Sequence, residues 1–422
     1  MKKTNLPFLL LASFFFSLAA SAMDNVKGFN LSENDSYPYD ASTDGAAKTP
    51  AQVAVDEAKR LGANHIILNV RATMVGPFSN EVLPTTPPAE RANEMKRMTR
   101  LIKYIKAQKL SVGLRPIFFV VGPNGEFPYK TKLPDGSEKV WWHGNIQPSD
   151  PNRWFESFRV YLDSYITLAK FAKIDEFTVG AELYSMTIGI EDQWKQYPYG
   201  FPGRWLELLR YVRAKLPGTR LMYDINFTDD SVVNGGEVSA SGGELERWRY
   251  RIVDLADRDN PAEKQIWIDL TTFWKELDAV GIDMYRSLAS PNQVIPSDFN
   301  QLVALLRQRT DSYATQMDNT FTQIELTLDH QKPVIFKELG YRSVEKGFID
   351  PFAYAGEGTI LVQHQAAAYQ AVFSSFWEAR WPWFKGFNFW EIHVDGSKAG
   401  PRDNGFSPLG KDLTESVLKK YW

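Results

Sequence analysis

Short apolar runs recur along the chain with the length and residue types of buried β-strands. We predict eight strands, over residues 26–31, 65–70, 111–120, 176–180, 220–225, 279–283, 333–338 and 386–390. Between them, apolar residues follow helical spacing, which predicts helices over residues 50–61, 89–108, 151–171, 203–216, 297–329 and 362–379. Alternating strands and helices are typical of parallel strands covered by helices.

Eight such units predict an α/β fold of the TIM type, a (β/α)8 barrel. The alternative is a doubly wound open sheet, but the chain lacks the glycine-rich phosphate turn that this fold would need after an early strand. Long loops over residues 122–148, 227–264 and 344–358 follow the third, fifth and seventh strands. They would therefore extend the C-terminal face, where barrel enzymes carry their active sites. We predict one catalytic domain over residues 23–422.

The N-terminus has the features of a secretory signal peptide. Lys2 and Lys3 precede an apolar run over residues 6–18, and Ala20-Ser21-Ala22 has the small residues of a cleavage site. We predict that residues 1–22 are removed and that the mature protein is secreted or periplasmic. Retention of the run as an anchor is the alternative. Later stretches are too short or too polar for a transmembrane helix, so we expect no stable membrane insertion.

The composition argues against several functional classes. Cysteine is absent, which excludes disulfides, thiolate metal sites and cysteine nucleophiles. A formal net charge of −3 gives no reason to expect a nucleic-acid partner. The five histidines are not spaced as metal-ligand pairs, so we expect no metal and no cofactor. The sequence also lacks the G-x-S-x-G turn of a serine hydrolase.

Tryptophan is abundant, with 13 residues, and several of them fall in loop-like segments. These are Trp141, Trp142, Trp194, Trp205, Trp381 and Trp383. Flat aromatic rings stack on the C–H faces of sugars, so these residues are candidate sugar-binding platforms, with core packing as the alternative.

Two predicted strands each end in a glutamate beside a glycine. Glu182 follows the fourth strand in the segment Val179-Gly-Ala-Glu-Leu, and Glu338 ends the seventh strand in Phe336-Lys-Glu-Leu-Gly. In a barrel, both carboxylates would lie at the same mouth. Two carboxyl groups in different protonation states are what cleavage of a glycosidic bond needs, since one protonates the leaving oxygen and the other supports the anomeric carbon. Neighbours on a strand face opposite sides, so we expect Lys337 to point away from Glu338.

These glutamates and their surroundings resemble glycoside hydrolase clan A, and most closely its family 113, whose known members are β-1,4-mannanases. Similarity extends over nearly the whole mature chain. The segments that resemble the family are Lys27-Gly-Phe-Asn, Val179-Gly-Ala-Glu-Leu, Lys332-Pro-Val-Ile-Phe-Lys-Glu-Leu-Gly-Tyr, Gly386-Phe-Asn-Phe-Trp and Asp403-Asn-Gly-Phe-Ser-Pro-Leu-Gly-Lys.

The resemblance implies that Glu182 is the general acid/base and Glu338 the nucleophile. It also implies that Tyr285 donates a hydrogen bond to the nucleophile and that Trp390 forms the floor of the sugar subsite next to the broken bond. We expect Arg71, near the end of the second strand, to lower the pKa of the nucleophile through its positive charge.

One position departs from the clan pattern. Many clan members carry Asn directly before the acid/base, where it binds the sugar 2-hydroxyl, but this chain has Ala181. Asn226, or Trp141 and His143 in the loop after the third strand, are the candidate replacements. Asp224 and Asp283 also end predicted strands and are further candidates for substrate contact.

We therefore predict a retaining glycoside hydrolase that cleaves a β-linked oligo- or polysaccharide, with endo-β-1,4-mannanase as the first choice. The alternatives are the same chemistry on xylan, a glucan or an exopolysaccharide, and a catalytically inactive sugar-binding barrel. Nothing in the sequence indicates an oligomeric state.

Overall fold

The predicted barrel is present in the computed structural model, which describes residues 25–32, 48–190, 193–228, 243–257, 259–353 and 356–422. The predicted signal peptide lies outside these residues. The barrel strands are β1 (Val26–Ser32), β2 (His65–Val75), β3 (Ser111–Val121), β4 (Glu176–Ala181), β5 (Arg220–Thr228), β6 (Ala279–Tyr285), β7 (Val334–Leu339) and β8 (Phe384–His393). All eight predicted strands are thus confirmed, and the predicted and observed bounds differ by at most five residues at either end of a strand.

The strands pair in chain order, all in parallel, and β1 pairs with both β2 and β8. The sheet therefore closes into a barrel, and the carboxyl ends of all its strands meet at one mouth. Three short strands extend this face: Leu83–Pro84 pairs antiparallel with β2, and Tyr129–Lys132 forms a hairpin with Glu138–Trp141 in the loop after β3.

Helices cover the outside of the barrel. Their bounds are α1 (Pro50–Arg60), α2 (Arg91–Ala107), α3 (Pro151–Ala172), α4 (Tyr184–Thr187), α5 (Pro202–Lys215), α6 (Gly243–Arg249), α7 (Pro261–Glu276), α8 (Phe299–Leu328), α9 (Val362–Val372) and α10 (Asp412–Tyr421). The six predicted helices are confirmed, although the last of them continues as a π-helical turn, Phe373–Trp377. In the described part of the chain, no helix is both long and apolar enough to cross a membrane.

The sequence analysis missed α7, whose start was assigned to the loop over residues 227–264. Asn260 caps this helix by accepting the N–H of Ala262 at 2.9 Å, and Pro261 occupies its first turn. Its buried residues Leu270 and Trp274 lie four positions apart, as expected for one face of a helix. The signals of a helix were therefore present in the sequence.

Many of the tryptophans belong to the layer between the barrel and its helices. Trp205 on α5 is fully buried and its ring lies 5.5 Å from that of Tyr223 on β5. Trp194 and Trp383 are also buried, at 8% and 4% exposure. The prediction that these three residues form sugar platforms is wrong, because their rings have no face open to a ligand.

Polar side chains fill the interior of the barrel. Near its N-terminal end, Glu176 forms an ion pair with Lys337 from β7 and a second, at 3.0 Å, with Arg220. Lys337 therefore reaches into the barrel toward its N-terminal end, whereas Glu338 lies near the C-terminal mouth. Burial alone would raise the pKa of Glu176, but the charges of Lys337 and His65 outweigh it and hold that pKa well below its ordinary value.

The ion pair leads to a prediction about stability. Lys337→Ala removes the main counter-charge of a fully buried carboxylate, and breaking such a pair costs about 3–5 kcal/mol. We expect the lower end of that range because Arg220 remains. The free energy of unfolding in urea measures the loss, with exposed Lys96→Ala as the control. Equal unfolding midpoints for the two variants would contradict the assignment.

Candidate active site

Glu338 lies near the C-terminal end of β7, beside Asp283 of β6 in the sheet register. Its Oε2 accepts a hydrogen bond from the hydroxyl of Tyr285 at 2.7 Å, and its Oε1 accepts one from Nη1 of Arg115. The side chain is 13% exposed, so the carboxylate is held by two donors but still reachable from the mouth of the barrel.

Arg115 is the centre of a buried charge network. It lies on β3 with its side chain in the barrel interior, only 1% exposed. Its Nε donates to Asp224 at 2.7 Å, its Nη2 donates to Asp283 at 2.7 Å, and its Nη1 contacts Glu338. Each edge of the planar guanidinium thus faces a different carboxylate, which fixes its orientation.

Glu182 directly follows β4 and ends that strand with a left-handed backbone, φ +54°. Its own N–H donates to the carbonyl of Asp224 at 2.8 Å, which ties the turn to β5. The carboxylate is held by two side chains: Nε2 of His143 lies 2.9 Å from Oε2, and Nδ2 of Asn226 donates to Oε1 at 2.6 Å. With 12% exposure, this side chain also remains accessible.

Asn226 is itself fixed by its neighbours. Its Oδ1 accepts hydrogen bonds from the N–H of Thr228 at 3.1 Å and from its hydroxyl at 2.7 Å, so Nδ2 is turned toward Glu182. Its backbone N–H donates to the buried carboxyl of Glu244 at 2.9 Å. Burial raises the pKa of Glu244 to about 8, and the charge of Glu182 adds to the rise.

The surroundings act differently on the two accessible glutamates. Burial raises the pKa of Glu338, and the negative charge of Glu182 raises it further, although Arg115 and Tyr285 oppose the rise. Burial also acts to raise the pKa of Glu182, but the hydrogen bond and charge of His143 outweigh it, and the pKa is lowered. The two groups lie in one electrostatic environment, in which a charge on either raises the pKa of the other.

Comparisons with known proteins show what the chain is similar to. Residues 258–411, which include Glu338, match the family model described as Glycoside Hydrolase Family 113. The chain resembles family 113 of glycoside hydrolase clan A. The family match indicates a glycosidase. No curated protein sequence matched the chain.

Two solved structures share the fold. One is described as a GH113 β-mannanase from Alicyclobacillus acidocaldarius in complex with ManMIm; it is 17% identical, with a TM-score of 0.63, and the match covers 95% of this chain and 99% of the other. The second is described as a complex structure of GH113 β-1,4-mannanase, at 19% identity and a TM-score of 0.58, covering 94% and 99% of the two chains. At these identities, the similarity establishes the fold alone.

The family 113-like barrel brings together most of the predicted site residues. Glu182, His143 and Asn226 form one hydrogen-bonded group, and Glu338 and Tyr285 belong to another. Trp390, near the end of β8, is partly exposed and lies outside the hydrophobic core, which leaves its ring available to a ligand.

Two predicted residues have other surroundings. The cation that contacts the carboxylate of Glu338 is Arg115, whereas the guanidinium carbon of Arg71 lies 5.8 Å from the centre of the Phe119 ring. The role predicted for Arg71 therefore belongs to Arg115. Trp141 is 6% exposed and its indole N–H donates to Thr131 at 2.7 Å, so this tryptophan stabilises the hairpin rather than facing Glu182.

Asp224 and Asp283 are fully buried against Arg115, so the expectation that they contact substrate is also wrong. Sequence reasoning missed Arg115 and Glu244. A signal for Arg115 was present, because a lone charge inside the apolar run of β3 must have a buried counter-charge. Glu244 follows a polar stretch of sequence, and this context does not distinguish it from a surface glutamate.

Proposed function

We propose that the chain is a retaining β-glycosidase that works by double displacement, with Glu338 as nucleophile and Glu182 as general acid/base. The observation that carries this proposal is the pair of accessible carboxylates at the ends of β7 and β4, each with its own hydrogen-bond donors. Tyr285 and Arg115 contact Glu338, and His143 and Asn226 contact Glu182. A pair of carboxyl groups in distinct surroundings is what the mechanism requires.

In the first step, a carboxylate oxygen of Glu338 attacks the anomeric carbon while the bond from that carbon to the leaving oxygen breaks. Glu182 gives its proton to the leaving oxygen. The product is a glycosyl ester on Glu338 and a released alcohol end. Tyr285 and Arg115 hold the attacking carboxylate in one orientation, and the partly exposed ring of Trp390 is suited to support the sugar.

In the second step, Glu182, now a carboxylate, takes a proton from water as the water oxygen attacks the anomeric carbon. The ester bond breaks, and Glu338 returns as a carboxylate. Esterification removes the negative charge of Glu338, which lowers the pKa of Glu182 and suits it to act as a base. The sugar keeps its original anomeric configuration.

The resting protein has to supply a proton on Glu182. In the free protein, the surroundings lower the pKa of Glu182 and raise the pKa of Glu338. We infer that the pair shares one proton and that the form with the proton on Glu182 is the one that reacts. The apparent pKa values measured from catalysis then belong to the pair.

This sharing predicts a bell-shaped pH dependence of kcat/KM. Below the lower apparent pKa both carboxyls are protonated and no nucleophile is available; above the upper one both are charged and no acid remains. Initial rates across pH 4 to 8, about the range over which carboxyl pairs titrate, measure the profile. A flat profile would contradict the shared proton.

For the sugar, we propose β-1,4-linked mannan, because the two structural relatives are described as a β-1,4-mannanase and a β-mannanase of the family whose model matches this chain. Asn226 is the proposed replacement for the amide missing at Ala181, since Nδ2 carries a second N–H besides the one given to Glu182. The N–H of Trp141 is already used by Thr131.

The deciding experiment is incubation with mannan, xylan and cellulose oligomers, with products and their anomeric configuration followed by NMR. We expect cleavage of the mannan series with retention. Cleavage of another series would change the substrate, inversion would exclude the covalent intermediate, and binding without cleavage would identify a sugar-binding barrel. Export of the mature protein remains a prediction.

A further inference from the structure

Strands β2 and β3 extend far beyond the catalytic residues. They pair over eleven successive positions, from His65 with Ser111 to Val75 with Val121, whereas β4 and β7 have only six residues each. Arg115, which contacts Glu338, lies in the middle of β3. Six residues follow it to Val121, which at about 3.3 Å per residue is a further ~20 Å of strand.

The two faces of this ribbon differ. Ala72, Met74, Phe118 and Val120 are at most 2% exposed, and the ring of Phe118 packs against Trp154 of α3. The alternate positions are solvent-accessible, including Thr73, Val75, Ile117, Phe119 and Val121.

The accessible positions face the mouth of the barrel. Side chains alternate along a strand, so Ile117, Phe119 and Val121 share a face with Arg115, whose side chain lies in the barrel interior. On β2, Thr73 and Val75 share a face with Asn69, whose Oδ1 accepts from Nη1 of Arg115 at 3.5 Å. The accessible face is therefore continuous with the inner surface of the barrel that carries Arg115 and its contact with Glu338.

This face carries aliphatic side chains and an aromatic pair, with one charge beside them: the guanidinium carbon of Arg71 lies 5.8 Å from the centre of the Phe119 ring. Val75 is 50% exposed. The ring of Phe119 meets that of Phe127 edge to face at 5.4 Å, and Phe127 is 47% exposed. Apolar side chains that are grouped on an accessible surface mark binding sites more often than isolated ones do. Aromatic and aliphatic side chains suit the C–H face of a pyranose, and the Thr73 hydroxyl can hydrogen-bond a sugar hydroxyl.

We propose that the inner face of the β2–β3 ribbon, formed by Thr73, Val75, Ile117, Phe119 and Val121 with Phe127, is a distal glycan-binding subsite. Its occupant is a part of the substrate chain several sugar units from the cleaved bond. We favour this ligand over a protein or lipid partner because the accessible face continues directly from Arg115, which contacts Glu338. A polymer bound across Glu338 has to leave the site along one side of the barrel mouth, and this face forms such a side. The inference rests on the proposed function and extends it to substrate length.

The test uses Phe119→Leu, which keeps the side chain apolar, and Phe119→Trp, which keeps it aromatic. The control is Phe171→Ala on α3, a ring that is 69% exposed away from the site. The kcat/KM values are measured on β-1,4-mannooligosaccharides of two to six units. We expect Phe119→Leu to lose about tenfold on the longest substrate, within the range of aromatic contacts, and less than twofold on the shortest. Phe119→Trp and Phe171→Ala should keep the wild-type dependence on chain length.

Equal losses at every length, or no loss at any length, would overturn the proposal. Affinity electrophoresis of the same proteins in gels containing mannan provides a readout that needs no hydrolysis. If the wild type binds mannan without cleaving it, the proposed function is wrong. In that case the subsite is supported if Phe119→Leu is retarded less than the wild type in the mannan gel, and it is overturned if the two proteins are retarded equally. Absence of binding by the wild type would also overturn the subsite.

Discussion

Replacing Glu338 with alanine is expected to reduce hydrolysis of β-linked oligosaccharides to the uncatalysed background. The change removes the only group proposed to attack the anomeric carbon, and it leaves a small space on the side from which attack occurs. Azide added to the variant should enter that space and form a glycosyl azide of inverted configuration, provided the substrate has a good leaving group. Product analysis by NMR measures both effects.

A surface variant tests whether any loss is specific. Glu276→Ala removes a glutamate that pairs with Arg210 on the exposed side of α7, and it should leave kcat unchanged. Melting temperatures of the two variants separate catalysis from folding. Normal turnover by Glu338→Ala would remove this residue from the mechanism. An azide product of retained configuration would mean that the space left by Glu338 lies on the other face of the sugar, so Glu338 would not be the nucleophile.

The strands of the barrel were predictable because the predicted segments are largely buried and read as short apolar runs. The fifth strand continues to Thr228, three residues beyond its predicted end, because its last residues pair with the last residues of β6. Helix α7 was missed because its cap, Asn260-Pro261, was interpreted as part of a loop. Such boundaries depend on partners that are distant in the chain.

The positions of Glu182 and Glu338 at strand ends were predictable because each glutamate comes at the end of a short apolar run. The side chains that contact these glutamates were harder to predict. They depend on which residues of the neighbouring strands point into the barrel at the level of the glutamates. Arg71 and Arg115 are both arginines inside barrel strands, and only the structure shows that Arg115 contacts Glu338. Trp141 looked available in sequence, but the hairpin buries it against Phe78, with ring centres 5.3 Å apart.

Glu182→Ala is expected to have the second-largest effect, a loss on the order of 10²–10⁴-fold on oligosaccharides, because an alkoxide leaves poorly without a proton. An activated aryl glycoside needs little protonation, so formation of the glycosyl ester from it should be nearly as fast as in the wild type. Burst-phase kinetics measures the two steps separately, since the ester should accumulate when Glu182 is missing as a base. Removal of the acid should also abolish the basic limb of the pH profile.

His143→Ala is the matched control for this variant, because it removes a partner of Glu182 but leaves the carboxyl in place. Loss of its hydrogen bond and charge raises the pKa of Glu182, so the basic limb should move to higher pH rather than disappear. With azide, Glu182→Ala should give a product of retained configuration, opposite to that from Glu338→Ala, because the nucleophile still forms the ester first. Equal losses on activated and unactivated substrates would assign Glu182 to binding, and the acid would have to be sought elsewhere at the barrel mouth.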